Sequence, residues 1–256
     1  MKRIGDRNPQ QEQRRQQRLL AMMERRFRRI LAAEIRRASD AMLAAYRATG
    51  RAPALPDDHE RRIADIYRQM AEVGIEAFGD RIIGQGKHMG LILERKSFAE
   101  FFARLALDYI GLEMIRGRIT SVAETTRQQI VNQITRGQQE GEGVDAIAKR
   151  IAGNVGIISR QRGALIARTE THGAANYGAD GAARATGLKL RKEWVAAEDE
   201  RTRPDHDEAN GQIVDMDQAF DVGGEALMYP GDPSGSAGNI INCRCGVSHI
   251  VDDGLA

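Results

Sequence analysis

Between residues 192 and 251 the chain strings together Trp194, Asp199, Arg203, His206, Asn242, Cys243, Arg244, Cys245 and His249, within a segment rich in glycine and aspartate. Cys243 and Cys245 stand two apart. On a strand that spacing projects both sulfurs from one face, where they could converge with His206 and with His249 or an aspartate around a zinc ion. C-x-C is tighter than the spacing of most zinc sites, so the pair also reads as buried thiols of a small β-core. A disulfide between such near neighbours is disfavoured by its geometry. A second chemistry lies in Asp199, Arg203, Asp205 and His206: a histidine beside a carboxylate suits general-base work, and Arg244 could hold a phosphate. The competing reading gives these residues turn hydrogen bonds and ion pairs in a polar loop. Trp194, alternating with Glu193 and Val195, is expected in the core. Gly223, Gly224 and the glycines of residues 231–238 lack the Lys-Ser/Thr ending of a phosphate loop, so no nucleotide site follows.

The elements that must position these residues can be read from apolar periodicity. The first ten residues show none. Leu19, Met23, Phe27, Ile30, Leu31, Ile35, Ala38, Met42 and Tyr46 then recur at three- and four-residue steps, predicting one long helix that ends at Gly50 and the prolines at 53 and 56. Its other sides carry arginines, among them Arg25, Arg26, Arg28, Arg29, Arg36 and Arg37, a candidate surface for DNA or an acidic partner. Asp57 and Glu60 open a second helix through Phe78, and Gly84, Gly86 and Gly90 predict a flexible connection after it. Ser97 opens a third helix through Ile115, and Ser121 a fourth that stops at Gly137. A loop over residues 138–143 precedes a short helix from Val144 to about Gly153, and a small-residue helix over residues 159–184. On that helix Arg168 and His172 share a face at i, i+4, which suits pinning it to the module that follows.

From residue 188 the texture changes to strands and polar loops, with Leu188 to Val195 and Ile240 to Ile250 as the outer strands. The expected fold class is α+β: a long helical N-terminal region, then a small α+β module with a short antiparallel sheet. The division expected is a basic helical arm over residues 1–95 and a domain over residues 96–256, helical over 97–187 and β-rich over 188–251.

With 256 residues and 41% hydrophobic content, the chain can bury a substantial core. Its net charge of +2 hides an uneven distribution, arginine-rich over residues 2–51 and acidic over residues 198–253. The N-terminus is polar, and no apolar run approaches the ~20 residues that span a bilayer. Two cysteines make no disulfide framework. These features together predict a soluble protein made in a reducing cytoplasm, with no membrane partner.

The A-R-T-E run at residues 167–170, Trp194, the D-x-x-T-R-x-x-H run from Asp199 to His206, Gly211, Phe220, Tyr229-Pro230 and the Asn242-Cys243-Arg244-Cys245 end, taken in this order, resemble the phage Mu F-like minor head proteins, also called head morphogenesis proteins. The resemblance runs from about residue 115 to 251, and its polar signature is Arg168, Glu170, Asp199, Arg203, His206, Asn242 and Arg244. It implies a non-enzymatic virion component inside the capsid near the portal vertex. That component would be assembled in the host cytoplasm and act in procapsid assembly, DNA packaging or ejection. The partners implied are the portal protein, the capsid interior or scaffold, and double-stranded DNA bound without sequence specificity. No cofactor is implied beyond the candidate zinc. The alternative is a nuclease-like or transferase-like enzyme using His206, Arg203 and Glu170. Against it, the chain ends soon after the signature, leaving no expected room for a separate effector.

Overall fold

The computed structural model describes residues 2–4, 8–88 and 95–251. In chain order its elements are β1 (Lys2–Ile4), α1 (Pro9–Thr49), α2 (His59–His88), α3 (Arg95–Gly111), α4 (Glu113–Gln139), α5 (Val144–Ala185), β2 (Leu190–Val195), α6 (Pro204–Glu208), β3 (Ile213–Asp215), β4 (Phe220–Val222), β5 (Glu225–Leu227), α7 (Ala237–Ile240) and β6 (Gly246–Val251). The architecture is α+β, as the patterning predicts.

Two compact units share these elements. One comprises residues 1–24, 68–112 and 168–256, the other residues 25–67 and 113–167, so both draw on sequence from either side of residue 95. The second unit is all helix. Met42, Leu43 and Tyr46 of α1 pack with Ile130 and Ile134 of α4 and with Ile147, Ala148, Ile151 and Val155 of α5. These positions recur at helical spacing, and each buried side chain of this size contributes roughly 1.5–3 kcal/mol. At the edge of that core Glu34, buried on α1, accepts from Arg37 at 2.7 Å and lies 2.8 Å from Nδ1 of His59.

The first unit holds the sheet. Its four strands run in the order β1-β6-β2-β3, every pair antiparallel. The register sets Trp194 opposite Val247 and Lys192 opposite His249, so Leu190, Lys192, Trp194, Val247 and His249 share one face. On the other face the guanidinium of Arg3 bonds Glu193 and lies 3.1 Å from the Ser248 hydroxyl. A separate hairpin joins β4 to β5 through Gly223 and Gly224, whose φ angles of 60° and 81° are those a two-residue hairpin turn requires. Helix packing in this unit depends on small residues. A Cβ on Gly178 of α5 would sit 2.5 Å from Cα of Ile75 on α2, and one on Gly181 would meet Leu105 of α3 at 2.6 Å.

Several elements differ from the sequence-based expectation. Residues 2–4 form a strand, because β6 offers a free edge at the far end of the chain. Helix α2 runs through Gly84 and Gly86 to His88, where a flexible connection was expected, while Gly90 lies outside the described residues. The break between the third and fourth helices falls at Leu112 and not at Ser121, which is inside α4. Residues 144–185 form one helix, because added Cβ atoms at Gly153 meet nothing and those at Gly163 and Gly178 would meet neighbouring backbone: these glycines serve exposure or packing, not termination. The closing strand is shorter than expected, since residues 237–240 form α7 and β6 begins only at Gly246.

Candidate functional site

Helix α6 has proline at its first position, which fixes φ where the missing N–H is not needed. It carries His206 inward, leaving it only 1% exposed. The imidazole stands edge-on to Trp194 at 5.5 Å between centroids, and Trp194 in turn stands edge-on to Phe220 at 5.4 Å. Trp194 is fully buried, as its alternation predicts. Nδ1 of His206 lies 3.3 Å from Sγ of Cys245 and 3.6 Å from Sγ of Cys243. All three donors fall within 4.8 Å of one another, and all three residues are buried.

The two cysteines sit in the extended segment between α7 and β6 rather than on the strand itself. Their thiols titrate in opposite directions. Burial, reinforced by the hydrogen bond with Cys245, pushes the Cys243 thiol well up. Cys245 is drawn well down by that same hydrogen bond and by His206, against its burial. A metal bound here would need both thiols deprotonated, so binding would release protons. Both cysteines are free of any disulfide.

The segment is held from several directions. Nε2 of His172 on α5 donates to the Cys245 carbonyl at 2.7 Å. Asn176, one turn on, donates to the Pro230 carbonyl at 3.0 Å. Gln13 and Gln17 of α1 both donate to the Arg244 carbonyl. Burial holds His172 below the ordinary histidine range, keeping it neutral.

His249 does not join the cluster. Extended chain advances about 3.3 Å per residue, so the four residues from Cys245 carry it roughly 13 Å along the strand. It lies instead among cations: burial, with Arg81, Lys192 and Arg184 adding to it, holds its pKa down at about 3. Lys192, directly opposite, is itself buried, donates to the Met228 carbonyl at 2.7 Å and is held below the usual lysine range mainly by burial. A cation could not be accommodated beside these charges.

Five of the seven polar signature residues gather around one cavity, Asp199 through its bond to Arg244, whereas His206 and Glu170 are buried and do not line it. Arg168, Arg201, Arg203, Asn242 and Arg244 line one cavity. Arg168 bonds Glu24 and reaches the Asn242 amide oxygen at 3.4 Å. Arg244 bonds Asp199 at 2.5 Å, and Arg203 bonds the Ile241 carbonyl. Asp199 closes its own turn, accepting from the Arg201 backbone N–H at 2.9 Å. Glu170 is buried on α5. Sequence reasoning left out Glu24, the partner of Arg168, and nothing local marks it.

On α1 the arginines divide. Arg25, Arg26, Arg28, Arg29 and Arg36 are exposed, Arg26 lying 5.2 Å over the Phe27 ring and Arg36 lying 3.6 Å from Asp40. Arg37 is only half exposed, paired to Glu34 at 2.7 Å and Asp58 at 2.9 Å, so its charge is already met twice.

Among the described residues, no helix is long and apolar enough to cross a membrane. Residues 128–248 match the family described as Phage Mu protein F like protein. The chain is 31% identical over 141 residues to the Minor head protein GP7 of Bacillus phage SPP1, a match covering 52% of this chain and 45% of that protein. It is also 30% identical over 138 residues to the NAD(+)--arginine ADP-ribosyltransferase EFV of Enterococcus faecalis (strain ATCC 700802 / V583), covering 53% of this chain and 28% of that one. The matches thus span less than half the length of either relative. No solved structure gives a significant match.

Proposed function

Because residues 128–248 match the Phage Mu protein F like family, we infer that the chain is a minor head protein of a tailed phage or prophage, a virion component that acts in head morphogenesis. It works without catalysis, at the portal, in procapsid assembly, DNA packaging or ejection, and lies on the capsid interior after assembly in the host cytoplasm. The observation that carries this reading is the match itself. It encloses every signature polar residue from Arg168 to Arg244, and the relative GP7 bears the name of a minor head protein. The exposed arginines of α1 suit contact with DNA phosphates or an acidic capsid face, without sequence preference.

His206, Cys243 and Cys245 could supply three ligands of a structural zinc, which would clamp the module. With Zn–S near 2.3 Å and Zn–N near 2.0–2.1 Å, the N···S edge of a tetrahedral site is about 3.5 Å. The two observed edges, 3.3 and 3.6 Å, fit it. Zinc here would tie α6 to the segment before β6. It supplies cross-linking and no reaction.

The arrangement speaks against the enzyme reading. The His206 ring is enclosed by Trp194 and two thiols, Arg203 is engaged by a backbone carbonyl and Glu170 is buried, so no substrate reaches all three. The relative named as an ADP-ribosyltransferase is matched over 28% of its length.

The test is proteomic and genetic. Heads purified from the encoding phage or prophage should contain the chain at low copy, and its deletion should leave heads that are malformed or unfilled. Normal, infectious heads lacking the protein would overturn the reading, as would hydrolysis of DNA or arginine ADP-ribosylation by purified protein that is lost in His206→Ala.

A further inference from the structure

We propose that the cavity lined by Arg168, Arg201, Arg203, Asn242 and Arg244 is a phosphate-binding site. Four guanidiniums and one amide converge on a volume of about 250 Å³. Pockets that enclose an organic ligand usually run to roughly 300–1,000 Å³, so this one suits a compact anion. The donors are of the right kind, since a planar guanidinium presents paired N–H groups that match the oxygens of a phosphate.

The charge is only half met within the protein. Among the groups lining the cavity, Arg168 has Glu24 as its carboxylate partner and Arg244 has Asp199. Arg203 turns to the Ile241 carbonyl, which carries no charge to answer it. Arg201 is exposed, and among the described residues no carboxylate lies within ion-pairing distance of it. Four positive groups against two negative ones leave an excess of two, the charge of a phosphate dianion. Nε of Arg244 is buried and has no hydrogen-bond partner.

The cavity is also organised rather than incidental. Asn242 takes a left-handed backbone conformation, φ 58°, and its N–H donates to the Thr169 hydroxyl at 3.2 Å. Its side-chain oxygen faces Arg168, which leaves the amide N–H groups as donors. Asn242 and Arg244 alternate with Cys243 and Cys245, so one short segment presents thiols to His206 and an amide and a guanidinium to the cavity. Phosphate could reach this site from a nucleic-acid backbone or as the free ion. The proposal stands apart from the head-protein reading, because binding is measured on the purified chain whatever its place in a virion.

The experiment uses the full chain with inorganic phosphate as one probe and a short DNA duplex as the other. Phosphate should raise the thermal midpoint above that in sodium chloride of equal ionic strength, and titration calorimetry should return a single site. Arg201→Gln, at an exposed position with no ion pair to lose, should weaken phosphate by about tenfold while leaving the circular dichroism spectrum unchanged. If the same variant weakens the duplex and phosphate competes with it, the source is a nucleic-acid backbone. If duplex affinity is untouched while phosphate affinity falls, the source is the free ion. Equal responses to phosphate and chloride, or unaltered phosphate binding in both Arg201→Gln and Arg168→Gln, would overturn the proposal.

Discussion

Nε2 of His172, on α5, lies 2.7 Å from the carbonyl oxygen of Cys245. A helix residue thereby fixes the backbone that carries a thiol of the proposed zinc site, and supports of this kind shape affinity without touching the ion. His172→Ala should lower zinc affinity by about 10–100-fold while leaving one bound metal per chain at saturation. Competition with a chromophoric chelator measures this, and unchanged affinity would separate His172 from the cluster.

Trp194 is the only tryptophan, and its ring lies 5.5 Å from that of His206. Cobalt(II) bound at the thiols should therefore quench its fluorescence as thiolate-to-metal absorption develops. Cys243→Ser should lose both signals together. Emission that ignores the metal would place the ion elsewhere.

His249 makes stability depend on pH. Its pKa is about 3 in the folded protein and roughly 6.5 when unfolded, so between those values the unfolded chain binds a proton that the native one refuses. Stability is full above about pH 6.5 and falls as the pH drops towards 3, at up to about 1.4 kcal/mol per pH unit. Urea titrations of His249→Gln should show a flatter profile across that window than the unaltered protein; parallel profiles would show that other groups govern it.

Gly178→Ala should destabilise the protein even though alanine favours helix by about 1 kcal/mol. The added methyl would meet Cα and O of Ile75 at 2.5 and 2.8 Å, backbone atoms that cannot swing aside. Overpacking of this sort costs about 1–3 kcal/mol, readable as a lower urea midpoint. Gly84→Ala, with nothing within 4 Å, should hold or raise it.

These two glycines mark where sequence reading succeeds and where it stops. The apolar stripe of α1, with Phe27, Leu31, Ile35, Met42 and Tyr46 all buried, was visible because helical burial repeats locally. The shared face of Arg168 and His172 was visible for the same reason, and it does carry contacts to the cysteine segment. Glycine looks alike in a terminator and in a helix crossing, so α2 and α5 were cut too early. The strand at residues 2–4 was illegible because its partner lies some 250 residues away. Cys243, Cys245 and His206 were legible as chemistry by type, yet His249 was wrongly grouped with them: spacing along a strand shows which face a residue takes, not which neighbours crowd that face.

The pairing of β1 with β6 also governs the order in which the molecule can be made. On a ribosome, residues 2–4 emerge long before their partners, residues 249–251. Until then β2 has no neighbour on its β6 side, and both thiols and the imidazole are still unassembled. Such long-range closure is slow, and the waiting intermediate exposes apolar helix faces. The nascent chain thus has an interval in which a chaperone meets a half-finished protein.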